Sequence, residues 1–230
     1  MYYSILATAL VATSVALAAC GDDATGLNGG NSATVRFVNA TSTSLDIAEG
    51  GTVATGNGAL SFGTTSNCMS VHATTADLAV RQTGTSTPLS GFTPAFQAGG
   101  NYTVIAYAGT GGAAQFATVS NAFTPTTGQG GLRVFNAVGA GTSYDVYVGT
   151  PGATTITAGA NNIGHGTGSS YFNVIANAAQ QVRITNAGTQ TLVLDIGARS
   201  FTAGQGVTLV IAPPAAGSTT PRAFYVTGCA

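Results

Sequence analysis

The chain has 230 residues, six Lys or Arg against seven Asp or Glu, a formal net charge of −1 and an apolar share of 44%. That apolar share with so little net charge builds a packed core and excludes intrinsic disorder. The six basic residues are all arginines and lie scattered, so they form no phosphate-binding patch and exclude nucleic acid as a partner.

The first element is an apolar run from Ile5 to Ala19. It is too short to span a bilayer comfortably, which takes roughly 20 residues. Its length fits the apolar region of a secretory signal peptide, so residues 1–19 are read as a signal helix. The run ends Leu17-Ala18-Ala19-Cys20, which resembles the lipobox of bacterial lipoproteins. That resemblance implies cleavage before Cys20 and lipidation of Cys20, with acyl chains holding the rest of the protein on a membrane. The segment before the run, Met1-Tyr2-Tyr3-Ser4, carries no Lys or Arg, which departs from the usual signal-peptide pattern. A cleaved but non-lipidated signal peptide and a buried apolar helix are the competing readings. Residues 20–32 are rich in Gly and Asn and read as a flexible tether. Gly21 rather than Asp follows the cysteine, which favours the outer membrane as the destination. Removing Cys20 leaves Cys68 and Cys229, an even pair that suggests a disulfide in an exported protein; two separate buried thiols are the alternative.

Past the tether one unit is written twice. Val35-Arg36-Phe37-Val38-Asn39-Ala40 recurs as Leu132-Arg133-Val134-Phe135-Asn136-Ala137. Leu45-Asp46-Ile47 recurs as Tyr144-Asp145-Val146, and Gly63-Thr64 with Ser66 recurs as Gly166-Thr167 with Ser169. Val80-Arg81 matches Val182-Arg183, and Phe96 matches Phe201. The copies span 33–125 and 131–230, with 126–130 as linker in the Pro/Gly/Thr seam that runs from Thr124 to Gly130. Tyr102–Tyr107 and Val207–Ile211 are apolar enough to be buried central strands, and Leu192–Ile196 is also strand-like. Gly, Asn, Pro and Thr punctuate these runs at sandwich spacing, and no helical stripe appears after the signal helix. The expected fold is all-β: two tandem immunoglobulin-like antiparallel β-sandwich domains after an N-terminal signal helix.

The paired motifs running from Val35 to Ala48 and from Leu132 to Ala153 resemble the opening strands of the family called domain of unknown function 4397. In that family an Arg-led strand ending in Asn-Ala or His-Ala is followed about ten residues on by an Asp-centred strand. The resemblance covers both copies; Ala48 stands in the first where a tyrosine is expected. It implies an exported protein, often lipid-anchored, whose sandwiches carry no established activity.

The chemistry-bearing inventory is thin. His72 reads as a packed strand residue and His165 as a solvated loop residue, neither with an acidic neighbour in sequence. There is no nucleophile elbow, paired-His motif, Cys-x-x-Cys or Asp-rich calcium loop, so neither metal nor cofactor is expected. Gly109–Gly112 reads as a hairpin turn, not a phosphate loop. The charges repeated in both copies are Arg36 with Asp46 and Arg133 with Asp145; each couple is expected as a structural ion pair across the first two strands, or else as a binding hot spot. Asn39 and Asn136 are expected to satisfy backbone groups at a strand end. The leading functional reading is a non-catalytic, lipid-anchored cell-envelope protein with a structural, adhesive or scaffold role. The membrane is then its partner through the lipid, together with an envelope protein or glycan. The alternative is a carbohydrate-binding surface module using Tyr144, Tyr147 or Tyr171 as stacking platforms, and an envelope hydrolase ranks last for want of the residues it needs.

Overall fold

A computed structural model describes residues 31–74, 77–153 and 156–229. The signal segment, Cys20 and the tether as far as residue 30 lie outside the described residues. Each copy folds as a sandwich of two sheets. In the first copy, β1 (Ser32–Asn39), β4 (Met69–His72), β6 (Asn101–Ala108) and β7 (Ala114–Ser120) make a sheet ordered β4-β1-β6-β7. Facing it are β2 (Leu45–Glu49), β3 (Thr52–Val53) and β5 (Leu78–Gln82), ordered β3-β2-β5. In the second copy, β8 (Gln129–Asn136), β11 (Phe172–Ile175), β14 (Gly206–Ala212) and β15 (Arg222–Thr227) are ordered β11-β8-β14-β15. Facing them are β9 (Ser143–Gly149), β10 (Thr157–Gly164), β12 (Ala179–Asn186) and β13 (Leu192–Ser200), ordered β10-β9-β12-β13.

The copies share one strand order, with one strand missing from the first. The stretch there that corresponds to β13 contains Pro88 and Pro94, which have no N–H to give to a ladder. All that remains of the pairing is the bond from Leu89 N to Val80 O at 2.7 Å and a bridge between Arg81 and Pro88.

Antiparallel pairing holds for every ladder except one in each copy. β1 runs parallel to β6, and β8 runs parallel to β14. Between the members of each parallel pair the chain leaves for the facing sheet and returns, which is the long crossover that parallel neighbours require.

Period-two alternation sends Ala33, Val35 and Phe37 of β1 and Val104 and Ala106 of β6 into the first core. Leu132 and Val134 of β8 and Val207, Leu209 and Ile211 of β14 fill the second. The opposite faces of these central strands are also apolar. Val38, Ile105 and Tyr107 from the first copy meet Phe135, Val210 and Val226 from the second in a third core. The β4-β1-β6-β7 and β11-β8-β14-β15 sheets are therefore stacked back to back, and strands β6 and β14 are buried on both faces. Phe135, Ile105 and Val210 are each at most 1% exposed, so each contributes about 1.5–3 kcal/mol of burial to the junction. A disulfide between Cys68 and Cys229, with Cα atoms 5.8 Å apart, closes one side of that junction.

Candidate functional site

Most residues repeated in both copies are fixing points of the fold. Asn39 donates from its amide to the carbonyls of Thr43 and Leu60, each at 2.7 Å, and accepts from Thr41 N at 2.8 Å. Asn136 does the same with Thr142 O, Ile163 O and Val138 N. Ser66 and Ser169 accept from the N–H of Phe37 and Val134 through their hydroxyls, at 2.8 and 3.0 Å, and so extend the edges of β1 and β8.

The expected Arg36–Asp46 and Arg133–Asp145 ion pairs do not form. β1 and β8 lie in one sheet of their sandwich while β2 and β9 lie in the other, so the partners never become neighbours. Each Asp instead ties two loops. Asp46 accepts from Ala59 N at 2.7 Å, Thr83 Oγ1 at 3.0 Å and Gly84 N at 3.4 Å. Asp145 accepts from Asn162 N at 2.6 Å and Gly188 N at 2.8 Å. The Ala59 N–H, helped by Thr83, Gly84 and the nearby Arg81, outweighs burial and holds the Asp46 carboxyl below its ordinary value. The Arg81–Arg183 match also shifts. Arg81 sits opposite Asp46, whereas Thr185 sits opposite Asp145, so Arg183 is two residues out of structural register. Arg183 forms the one ion pair among the described residues, with Asp195 at 3.5 Å.

The two arginines reach across to the opposite sandwich. Arg36 Nη1 donates to the carbonyl of Thr227 at 2.7 Å. Arg133 Nη1 donates to the carbonyl of Ser120. Ser120 and Thr227 are equivalent, because Val35, Tyr102 and Ser120 align across the first sheet as Leu132, Val207 and Thr227 do across the second. The junction is thus a two-fold arrangement of the kind a symmetric dimer makes.

The symmetry holds at the loops and breaks at the cysteines. Phe62 packs edge-on against Phe224, and its counterpart His165 packs edge-on against Tyr107, each crossing the junction. His165 also bonds through Nδ1 to the carbonyl of Val138, so it is a half-buried junction residue and not the solvated loop residue expected. His72 is half-buried at the end of β4, with Asn31 Nδ2 3.0 Å from its Nε2. Cys68 and Cys229 each lie two residues beyond Ser66 and Thr227; the equivalent steps beyond Ser169 and Ser120 arrive at Tyr171 and Ala122. Where the two-fold relation would place a second disulfide, there is an open pocket.

That pocket has a volume of about 360 Å³ and is lined by Ser120, Phe123, Thr124, Arg133, Ser170 and Tyr171 among others. Arg133 is 5% exposed. Its Nε and Nη2 donate to Thr208 Oγ1 at 3.1 and 2.8 Å, and Nη2 also donates to Asn121 Oδ1 at 3.0 Å. Its guanidinium lies 4.6 Å from the centre of the Tyr171 ring, and Phe123 leans on the same ring at 5.2 Å. Burial pushes the Arg133 pKa below its ordinary value. The lining contains no carboxylate.

Two other cavities have different chemistry. One of about 500 Å³ is apolar, with Phe62, Leu194, Ile196, Pro221 and Phe224 around Arg222. Another of about 450 Å³ opens between Val148, Phe172 and Ile175. Of the expected stacking tyrosines, Tyr144 is 5% exposed and presents no face to a ligand, which corrects that expectation. Tyr147 is half-buried beside Arg183 and Asp195. Tyr147 and Tyr171 each line a polar pocket, and only the one at Tyr171 lacks a carboxylate. Among the described residues no three His, Cys, Asp or Glu gather as a metal site would need.

Sequence comparison agrees with the motif reading over part of the chain. Residues 33–140 match the family model described as a domain of unknown function (DUF4397). That span covers the first sandwich and runs on through β8, taking in both Arg-led strands. No protein of curated function matches the chain.

Proposed function

We propose, from a chain that resembles a domain of unknown function over its first sandwich, that this is a non-catalytic cell-envelope protein. It is lipid-anchored through Cys20 to the outer membrane and serves as a structural, adhesive or scaffold unit. One observation carries the reading: two sandwiches are welded by a shared apolar core and a disulfide into a single rigid block. A block of this kind suits holding things at fixed separation. The disulfide supports an oxidising, extracytoplasmic compartment, where such bonds persist. The lipobox supports the anchor, since several buried acyl chains at ~0.8 kcal/mol per CH₂ hold a soluble block on a bilayer.

The test is metabolic labelling of cells with an alkyne-tagged fatty acid, followed by membrane fractionation. Label and membrane association in the wild type, both lost in Cys20→Ser, support the anchor; unlabelled wild-type protein overturns it. Antibody staining of intact against permeabilised cells then tells the surface from the periplasmic side. Reproducible turnover of any substrate by the purified protein would overturn the non-catalytic reading. The second reading, a carbohydrate-binding surface module, has support at one place, the pocket beside Tyr171.

A further inference from the structure

We infer that the pocket between Arg133, Tyr171 and Ser120 binds a carboxylated sugar, a hexuronate unit of an acidic glycan. The inference deepens the carbohydrate-binding reading and is independent of the lipid anchor.

The reasoning starts from symmetry. The Arg36 side of the junction is sealed by the disulfide, and the Arg133 side is not. A duplicated fold under no other demand would treat the two sides alike. On the open side Tyr171 replaces the cysteine, and the space beside it is lined by hydroxyls and aromatic rings.

Next comes charge. Arg133 is a nearly buried cation with no carboxylate partner among the described residues. Buried charges are ordinarily paired or bound to a counter-ion. Neutral acceptors take four of its hydrogen bonds, through Nε, Nη1 and twice through Nη2. A guanidinium has five N–H donors, so one Nη1 hydrogen remains for a ligand. Burial already disfavours the charged form, and an anion in the pocket would relieve that cost.

Then comes shape. A bare inorganic anion needs neither aromatic rings nor 360 Å³. A sugar ring rests its C–H groups against aromatic rings, and Phe123 and Tyr171 are the two rings that line the pocket. Its hydroxyls need neutral donors and acceptors, which Ser120, Thr124, Ser170 and Asn173 supply at the exposed rim. The volume falls in the range of small-molecule sites. Among a sugar's groups, a carboxylate is the one that would both take the remaining Nη1 hydrogen and offset the buried charge.

The test is calorimetric titration of the full-length protein in detergent with three probes: a galacturonate disaccharide, a neutral galactose disaccharide and acetate. Saturable binding of the uronate, with at least about tenfold weaker binding of the other two, is the expected result. Arg133→Gln is expected to weaken uronate binding by about tenfold or more. Because Arg133 also bonds across the junction, a second variant guards against misfolding: Ser170→Glu puts a carboxylate on the exposed rim, leaves the junction intact and is expected to abolish uronate binding by occupying the arginine. The inference is overturned if the uronate shows no saturable binding up to about 10 mM. It is equally overturned if Ser170→Glu leaves binding unchanged or if acetate binds as well as the uronate. Equal binding of the neutral disaccharide keeps the carbohydrate-binding reading and rejects the acidic class.

Discussion

Arg36 and Arg133 make the same bond to opposite partners: each donates Nη1 to the last carbonyl of the edge strand of the other sandwich, Thr227 for the first and Ser120 for the second. Neither bond can exist within one copy. Their reciprocity means that the repeated arginine belongs to the junction and not to the sandwich that carries it. The same holds for the repeated loop glycines: a Cβ on Gly63 would come within 3.8 Å of Phe224, and one on Gly166 within 2.7 Å of Tyr107, each across the junction.

A shared core makes the two sandwiches one thermodynamic unit. Calorimetric unfolding of the oxidised protein is expected as a single transition, with calorimetric and van't Hoff enthalpies equal. Phe135→Ala, which empties the middle of the third core, is expected to cost about 3–5 kcal/mol and to lower that single transition. Two resolved transitions in the wild type would mean that the junction adds little.

Asp46 supplies a pH dependence with a definite sign. Its carboxyl is held below its ordinary value, chiefly by the Ala59 N–H. A depressed folded-state pKa contributes stability that is complete above the unfolded value and is lost as pH falls through the folded one. Denaturant unfolding between pH 6 and about pH 2 is expected to show stability falling below about pH 4. Asp46→Asn flattens that part of the fall. At neutral pH Asp46→Ala is expected to cost about 2 kcal/mol, because it strands the Ala59 and Gly84 donors. A variant with an unchanged acid limb would remove Asp46 as its source.

Ala59 and Asn162 hold equivalent places, donate to equivalent aspartates and share a left-handed backbone, with φ of 51° and 50°. Asn tolerates that region and Ala does not, at a cost of roughly 1–2 kcal/mol. The second copy therefore carries the better residue. Ala59→Asn is expected to raise stability by about 1 kcal/mol, and Asn162→Ala to lower it by a similar amount. Chemical denaturation midpoints at neutral pH measure both, and a shift of the same sign in the two variants would refute the account.

The two-copy sandwich could be read in the sequence because strand patterns and turn residues are local. Asn39 and Asn136 were readable for the same reason, since an Asn at a strand end serves backbone groups a few residues away. The Arg–Asp pairs were misread because proximity in sequence between β1 and β2 says nothing about which sheet each joins. The third core had left a trace: Val104–Tyr107 and Val207–Ala212 lack any polar face except Thr208, as strands buried on both sides do. What hid the pocket is that Arg133 looks identical to Arg36 in its motif. The difference between them lies two residues beyond Ser66 and Ser169, where one copy has Cys68 and the other Tyr171.

That difference makes the two-fold relation testable by covalent chemistry. If the Arg133 side of the junction is the counterpart of the disulfide side, the double substitution Ala122→Cys and Tyr171→Cys places two thiols in the geometry that Cys68 and Cys229 occupy. Those native cysteines lie 161 residues apart in sequence, and cross-linking so long a loop contributes up to about 5 kcal/mol in the chain-entropy model. The engineered loop is shorter and contributes up to about 4 kcal/mol, offset by the lost contacts of Tyr171 with Arg133 and Phe123. Peptide mapping under non-reducing conditions is expected to find two intramolecular bridges, the native one and the new one, with no exchange between them. The same variant closes the pocket, so it is expected to lose uronate binding while its unfolding temperature stays at or above that of the wild type. Free thiols at both new positions in well-folded protein would show that the two sides of the junction differ in backbone as well as in side chains, and would remove symmetry as the reason the pocket exists.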